Sequence, residues 1–144
     1  MHFVDLTPYE YSAKRSIVHV YNIGWIEDAG QCRIGLTDPQ VSFILEYYYT
    51  DLIANLTRGH HGCALCGSRE PRLVYEDRRI ILGAAELWIP SEQGKIFAAP
   101  DLVIHYLRDH SYAPPDEFIV AVLRLPGTIA GWNGEAIATE LCSG

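Results

Sequence analysis

A chain of 144 residues, 49% hydrophobic and 20% charged, is long enough to bury one core and too short for two ordinary domains. Its formal net charge of -7 repels phosphate on average, which argues against general nucleic-acid binding. No stretch approaches the roughly 20 apolar residues of a membrane-spanning helix, and Met1-His2-Phe3-Val4-Asp5 has neither the basic nor the apolar region of a secretory signal, so a cytoplasmic location is expected.

In chain order, Phe3-Val4-Asp5-Leu6 reads as a short strand closed by Thr7-Pro8, with a loop from Tyr9 to Arg15. The β-branched and aromatic run from Ile17 to Ile23 is a strand that continues through Gly24-Trp25-Ile26 past a bulge. Residues 27–31 have turn chemistry, and 32–36 read as a short extended piece. Thr37-Asp38-Pro39 is a helix start with Thr37 as the cap. Val41, Ile44, Leu45, Tyr48, Leu52 and Leu56 then recur at helical spacing, so the main helix is expected over residues 38–57. Within it, Tyr47-Tyr48-Tyr49 point in different directions and read as core packing plus exposed rings. Asn55-Leu56-Thr57 fits a glycosylation sequon, which has no meaning without export.

Arg72–Tyr75 and Ile80–Leu82 flank Glu76-Asp77-Arg78 as a hairpin, and further strands at Glu86–Ile89 and Lys95–Ala98 make a β-meander from residue 72 to 98 the simplest reading. Pro100-Asp101 opens a helix that Ser111 to Pro115 breaks, so His110 sits at or just beyond its end. A last helix runs from Pro115 to Leu123. From Pro126 glycine and small residues dominate without a visible period, so residues 125–144 are expected to be a glycine-rich tail, tethered by Trp132, on a single domain of residues 1–124. The expected fold is α+β, a small antiparallel sheet with two to three helices.

The chemistry concentrates in His60-His61-Gly62-Cys63-Ala64-Leu65-Cys66-Gly67 and in His105-Tyr106-Leu107-Arg108-Asp109-His110. Four cysteines in a chain of this type are better read as metal ligands and free thiols than as a disulfide frame. Two cysteines separated by two residues and followed by glycine make a thiolate pincer, and zinc favours sulfur and imidazole at four tetrahedral corners. Cys63 and Cys66 supply the pincer, while His105, His110 and His61 compete for the other two corners. On a regular helix five residues subtend about 140°, so His105 and His110 converge only if the helix ends between them. Pincer, hairpin, strand and ligand-bearing helix follow one another in the order of a treble-clef-like zinc knuckle. Cys32 and Cys142 have no partner nearby in sequence and read as ordinary thiols.

Whether the chain is an enzyme stays open. A catalytic zinc keeps one corner for water and needs a base, for which Glu86 is the candidate. The deaminase pattern, H-E-x-x-H, a P-loop and a G-x-S-x-G elbow are all absent. Arg69, Arg72, Arg78 and Arg79 follow the pincer and offer a local basic face for phosphate or nucleic acid, against a reading as solvated strand positions. The first expectation is a non-enzymatic zinc-binding module with another protein as partner. The alternatives are a metal-dependent hydrolase using Glu86, or a nucleic-acid binder using the arginines.

The segment Ala98-Ala99-Pro100-Asp101-Leu102-Val103-Ile104-His105-Tyr106 precedes His110-x-Tyr112-x-Pro114-Pro115-x-Glu117-Phe118. Together they resemble a family of small uncharacterised bacterial proteins. In that family an H-x-C-x-x-C element precedes a strand with a Glu, then Y-x-A-P-x-L-I-x-H-Y and H-x-Y-x-P-P-x-x-F segments. His61, Cys63, Cys66, Glu86, His105, Tyr106 and His110 match this pattern, and Phe97 replaces the family tyrosine. The opening Val4-Asp5-Leu6-Thr7-Pro8-Tyr9 and the Gly24-Trp25 pair are similar too. The likeness covers residues 1–124. It implies a metal site and no particular activity.

Overall fold

A computed structural model of the chain describes residues 2–12, 15–56, 61–75 and 78–143. Ala13 and Lys14 of the expected loop, Thr57 at the end of the expected long helix, His60, the hairpin tip Glu76-Asp77 and Gly144 lie outside the described residues, as does the side chain of Arg78.

Seven strands and six α-helices form among the described residues. The first three strands are β1 (Pro8–Ser12), β2 (Arg15–Asn22) and the two-residue β3 (Ile53–Ala54). β4 (Arg72–Tyr75) and β5 (Arg78–Ile81) pair only with each other, in the antiparallel hairpin expected there. β6 (Glu86–Pro90) and β7 (Ile96–Pro100) complete a five-stranded sheet in the order β1-β2-β7-β6-β3. The sheet is mixed, because β2 runs parallel to β7 with Val20, Tyr21 and Asn22 opposite Ile96, Phe97 and Ala98. Two expectations are thereby corrected. The sheet is not wholly antiparallel, and the meander from 72 to 98 is split at Gly83, whose φ of +110° turns β5 away from β6.

The N-terminal expectation is also corrected. Phe3 makes one isolated bridge to Trp25, and Leu6 takes a φ of +68°. Asp5 is committed to long-range contacts, accepting from the Gly24 N–H at 2.8 Å and the Tyr112 hydroxyl at 2.7 Å. A residue spent on such contacts ends regular pairing, so the first strand begins at Pro8, inside the stretch read as a loop.

The expected helix over 38–57 is two pieces, α1 (Pro39–Tyr47) and α2 (Tyr49–Leu52), with Tyr48 between them at φ −96°, ψ 17°. Asp38, not Thr37, is the cap: its carboxylate accepts from the Gln40 N–H at 2.9 Å, while the Thr37 hydroxyl donates to the Tyr112 carbonyl. Beyond Leu52 the chain leaves the helix to pair Ile53 and Ala54 with Leu87 and Glu86 on the sheet edge. That pairing outweighs the helical periodicity and leaves Leu56 69% exposed. The tyrosine triplet divides as expected: Tyr49 is buried with its hydroxyl on Asp101, and Tyr47 is exposed.

The remaining helices are α3 (Val103–Asp109), α4 (Asp116–Leu123), α5 (Leu125–Thr128) and α6 (Gly134–Ser143). The stretch expected to lack regular structure beyond Pro126 thus carries helix, and the described residues hold six α-helices where two or three were expected. Side chains alternate across β6 and β7. Leu87, Ile89, Phe97 and Ala99 enter a large core with α1 to α5, and Trp88 and Ala98 enter a smaller one with Ala138 and Cys142 of α6. The Trp132 indole N–H donates to the Trp88 carbonyl at 3.0 Å and pins the connection between α5 and α6. Both faces of the central strands are therefore covered. No helix among the described residues is long and apolar enough to cross a membrane.

A chain ending at Arg124 strips α5 and α6 from the sheet and uncovers Trp88, which is fully buried. An aromatic of that size together with the buried faces of Leu125, Ala138 and Cys142 represents about 4 kcal/mol of burial. The truncated chain is expected to melt about 15 °C lower and to bind the dye ANS. A thermal scan showing the full-length midpoint would refute a supporting role for these helices.

Candidate metal centre

The loop before β4 is built by backbone hydrogen bonds. The Cys63 N–H donates to the Ser68 carbonyl at 2.7 Å, and the Gly67 N–H donates to the Cys63 carbonyl at 2.9 Å. Gly67 has the φ of +75° expected after a pincer, in open space where only the backbone conformation matters. The loop docks on the rest of the fold through the His61 N–H, which donates to the Gly83 carbonyl at 2.8 Å. Gly83 in turn donates its own N–H to the fully buried carboxylate of Asp101 at 2.7 Å, and the Tyr49 hydroxyl holds the other oxygen of Asp101 at 2.8 Å. Asp101 precedes α3, so one carboxylate ties the cysteine loop to the helix that carries the histidines.

On α3, His105 is in the helix and His110 is its C-cap, with φ −125° and its N–H still bonded to the Tyr106 carbonyl at 3.1 Å. Ser111 follows with a φ of +52°. The helix ends at Asp109, between the two histidines in the sense that convergence requires, and the rings meet edge to face with centroids 4.9 Å apart.

Cys63, Cys66, His105 and His110 form a group that can hold a metal ion, their ligand atoms all within 4.8 Å of one another. Cys63 Sγ lies 3.4 Å from His110 Nε2, Cys66 Sγ lies 3.4 Å from His105 Nε2, and the two Nε2 atoms are 3.2 Å apart. A tetrahedral ion with zinc's bond lengths would place such atoms about 3.6 Å (S to N) and about 3.3 Å (N to N) apart. These three separations match edges of such a coordination tetrahedron.

The surroundings suit metal-ligand chemistry. The His105 Nδ1–H donates to Asp109 at 2.8 Å, which fixes the tautomer and leaves the Nε2 lone pair facing the group. Burial lowers the His105 pKa, against the opposing pull of Asp109, which favours the neutral ring that metal coordination needs. Burial likewise raises the Cys63 thiol, while the backbone N–H groups of Cys66 and Leu65 draw it down. A bound dication at this position would deprotonate both thiols outright.

His61 is exposed and is not part of this group; its backbone, not its ring, has the structural task. Glu86 is not part of it either. Its Oε1 accepts from the Asn55 amide at 2.8 Å, the Trp88 indole at 2.9 Å and the Tyr9 hydroxyl at 3.0 Å. Burial raises the Glu86 carboxyl above its ordinary pKa, partly offset by these donors, and drives the Tyr9 phenol upward as well. Arg69, Arg72 and Arg79 are exposed, and Arg72 pairs with Glu70 at 2.8 Å.

Sequence reasoning missed Asp109, Asp101, Gly83, Tyr9 and Asn55. For Asp109 a signal existed, a carboxylate four residues after a histidine on a helix. The others act through contacts that no spacing reports. Asp109→Ala should weaken metal binding about tenfold without expelling the ion; competition against a colorimetric chelator measures this, and an unchanged constant would remove Asp109 from the centre.

A family model described as a domain of unknown function, DUF7919, matches residues 1–123. No curated protein and no solved structure matches the chain.

Proposed function

The chain belongs to the DUF7919 family of domains of unknown function, and from that premise we propose that Cys63, Cys66, His105 and His110 hold one structural zinc ion in a treble-clef-like knuckle. The protein acts by binding, with another protein as its partner, and not by catalysis at the metal. The observation that carries this reading is the convergence of two sulfurs and two imidazole nitrogens within 4.8 Å of one another. Two sulfurs and two imidazoles select zinc over oxygen-loving cations. With four protein donors no corner is left for the water a hydrolytic zinc requires, and the alternative base, Glu86, is engaged with Tyr9, Asn55 and Trp88.

A protein partner is supported by exposed apolar side chains on α1 and just before it. Phe43 and Tyr47 lie one turn apart on α1 and are 60% and 51% exposed; Leu36 is fully exposed just upstream. The nucleic-acid alternative rests on Arg69, Arg72, Arg78 and Arg79 and works against a net charge of -7.

Elemental analysis of the reduced, purified protein tests the metal assignment. One zinc per chain is expected, and replacement by cobalt should give the intense visible bands of a tetrahedral sulfur-nitrogen site. A metal-free sample, or a cobalt spectrum with a bound exchangeable water, would overturn the structural-zinc reading.

A further inference from the structure

Next to the metal loop, and separate from the four ligands, lies a cavity of about 520 Å³. It opens between β1, the turn after β2, the cysteine loop and the start of α3. That volume falls within the range of small-molecule sites. Its lining is mainly acidic. Glu10, Glu27, Glu86 and Asp101 line it together with His61, the Asp101 carboxylate being taken up by Gly83 and Tyr49, and no lysine or arginine among the described residues does. Phe3, Tyr9, Trp25 and Tyr106 line it as well.

We propose that this cavity binds a small organic cation, a protonated primary amine carried on an aromatic or aliphatic body. The inference goes beyond the zinc reading and does not depend on which metal is bound.

Two features select this chemistry. The first is the state of Glu86. Its Oε1 accepts from three donors, while Oε2 shares the Tyr9 hydroxyl with it, at 3.2 Å against 3.0 Å. None of its hydrogen-bond partners among the described residues is charged. Glu86 is half-buried, and a carboxylate whose partners among the described residues are all neutral gains from an opposite charge, which an ammonium group at Oε2 would supply. Burial raises the carboxyl's pKa, and the Trp88, Asn55 and Tyr9 donors oppose the rise.

The second is the spacing of the acids. The Cys–His group is the one place among the described residues where three or more metal-ligating side chains converge on a single ion's volume. The cavity's carboxylates do not, so they suit an extended organic cation and not a metal ion. The aromatic walls then stabilise the cation through ring faces and cover its apolar body. Anions are rejected by the same surface.

Calorimetric titration of the metal-loaded protein decides the matter, using tryptamine, phenethylamine and cadaverine, each against the uncharged alcohol of the same skeleton. At least one amine is expected to bind roughly tenfold or more tightly than its alcohol. Glu86→Gln should remove that preference while metal content and near-ultraviolet circular dichroism stay as in the parent. Should Glu86→Gln fail to fold, the amine-to-alcohol ratio on the parent protein still decides. Amines and alcohols binding equally would reduce the cavity to an apolar pocket and overturn the proposal. So would the absence of binding by all three amines, or a folded Glu86→Gln protein with undiminished amine preference.

Discussion

Cys63→Ser is expected to empty the metal centre and to lower the thermal midpoint by about 15 °C. Cys63 is 2% exposed, its N–H and carbonyl close the loop, and its sulfur faces His110 at 3.4 Å. A serine oxygen is a poor zinc ligand, and three remaining donors hold the ion far more weakly. A ligand present at a thousandfold its dissociation constant stabilises the fold by about 4 kcal/mol, and at this chain length each kcal/mol moves the midpoint by about 4 °C. Metal content and the midpoint should therefore fall together, and a chelator should bring the parent protein to the same point. His61→Ala and Cys32→Ser are the controls, since both side chains lie outside the group. They should retain the ion and melt within a degree or two of the parent. A Cys63→Ser protein that keeps its metal and its midpoint would dismiss the centre as a structural element.

The two halves of the Cys–His cluster were legible because each is local. A Cys-x-x-Cys-Gly turn closes on itself through the Ser68 and Cys63 carbonyls, and the Ser111 to Pro115 break fixes where α3 ends. Both depend on residues within a few positions of one another. What spacing cannot report is which of two nearby histidines turns inward. His61 is two residues from Cys63, yet its backbone is held by Gly83 and its ring faces solvent, while His110, 47 residues away, reaches the sulfur.

The fold was legible where a face of an element meets one neighbour and opaque where it meets two. β2 and the β4–β5 hairpin were read correctly from local pattern. In β6, Leu87-Trp88-Ile89 has no alternation, and that lack is itself the sign of a strand covered on both sides. Trp88 needs a cover, and the segment beyond Pro126 supplies part of it beside Tyr9, which meets the indole edge to face at 5.2 Å. Its helices have no strong stripe of their own because the face they bury is small: Ala138 and Cys142 against Ala54, Ala98 and Trp88. The long helix failed for the converse reason. Its apolar spacing runs on past Leu52, but the open edge of β6 offers Ile53 and Ala54 hydrogen bonds that a further helical turn would forgo.

Gly83→Ala is expected to damage the metal centre without touching a ligand. Gly83 sits at φ +110°, and a Cβ built there would lie 2.1 Å from the His61 carbonyl oxygen. No L-residue other than glycine adopts that backbone angle without strain, and the overlap is with backbone, so no side chain can rotate away. The cost is more than about 3 kcal/mol if the structure stays as it is. The chain relieves it by moving the cysteine loop, which breaks the His61 N–H bond to the Gly83 carbonyl and disturbs the Gly83 N–H bond to Asp101. The two thiolates then no longer face His105 and His110 in one tetrahedron. Metal affinity should fall at least about tenfold, by the same standard that applies to lost supporting contacts around a metal, with a midpoint about 10 °C lower. Gly127→Ala is the matched control. It adds a methyl in open space at a helical position in α5, where alanine stabilises by about 0.5 kcal/mol or is neutral. If Gly83→Ala bound metal as tightly as Gly127→Ala, the cysteine loop would hold its shape without the contact to Gly83, and the link from Asp101 through Gly83 to the centre would carry no weight.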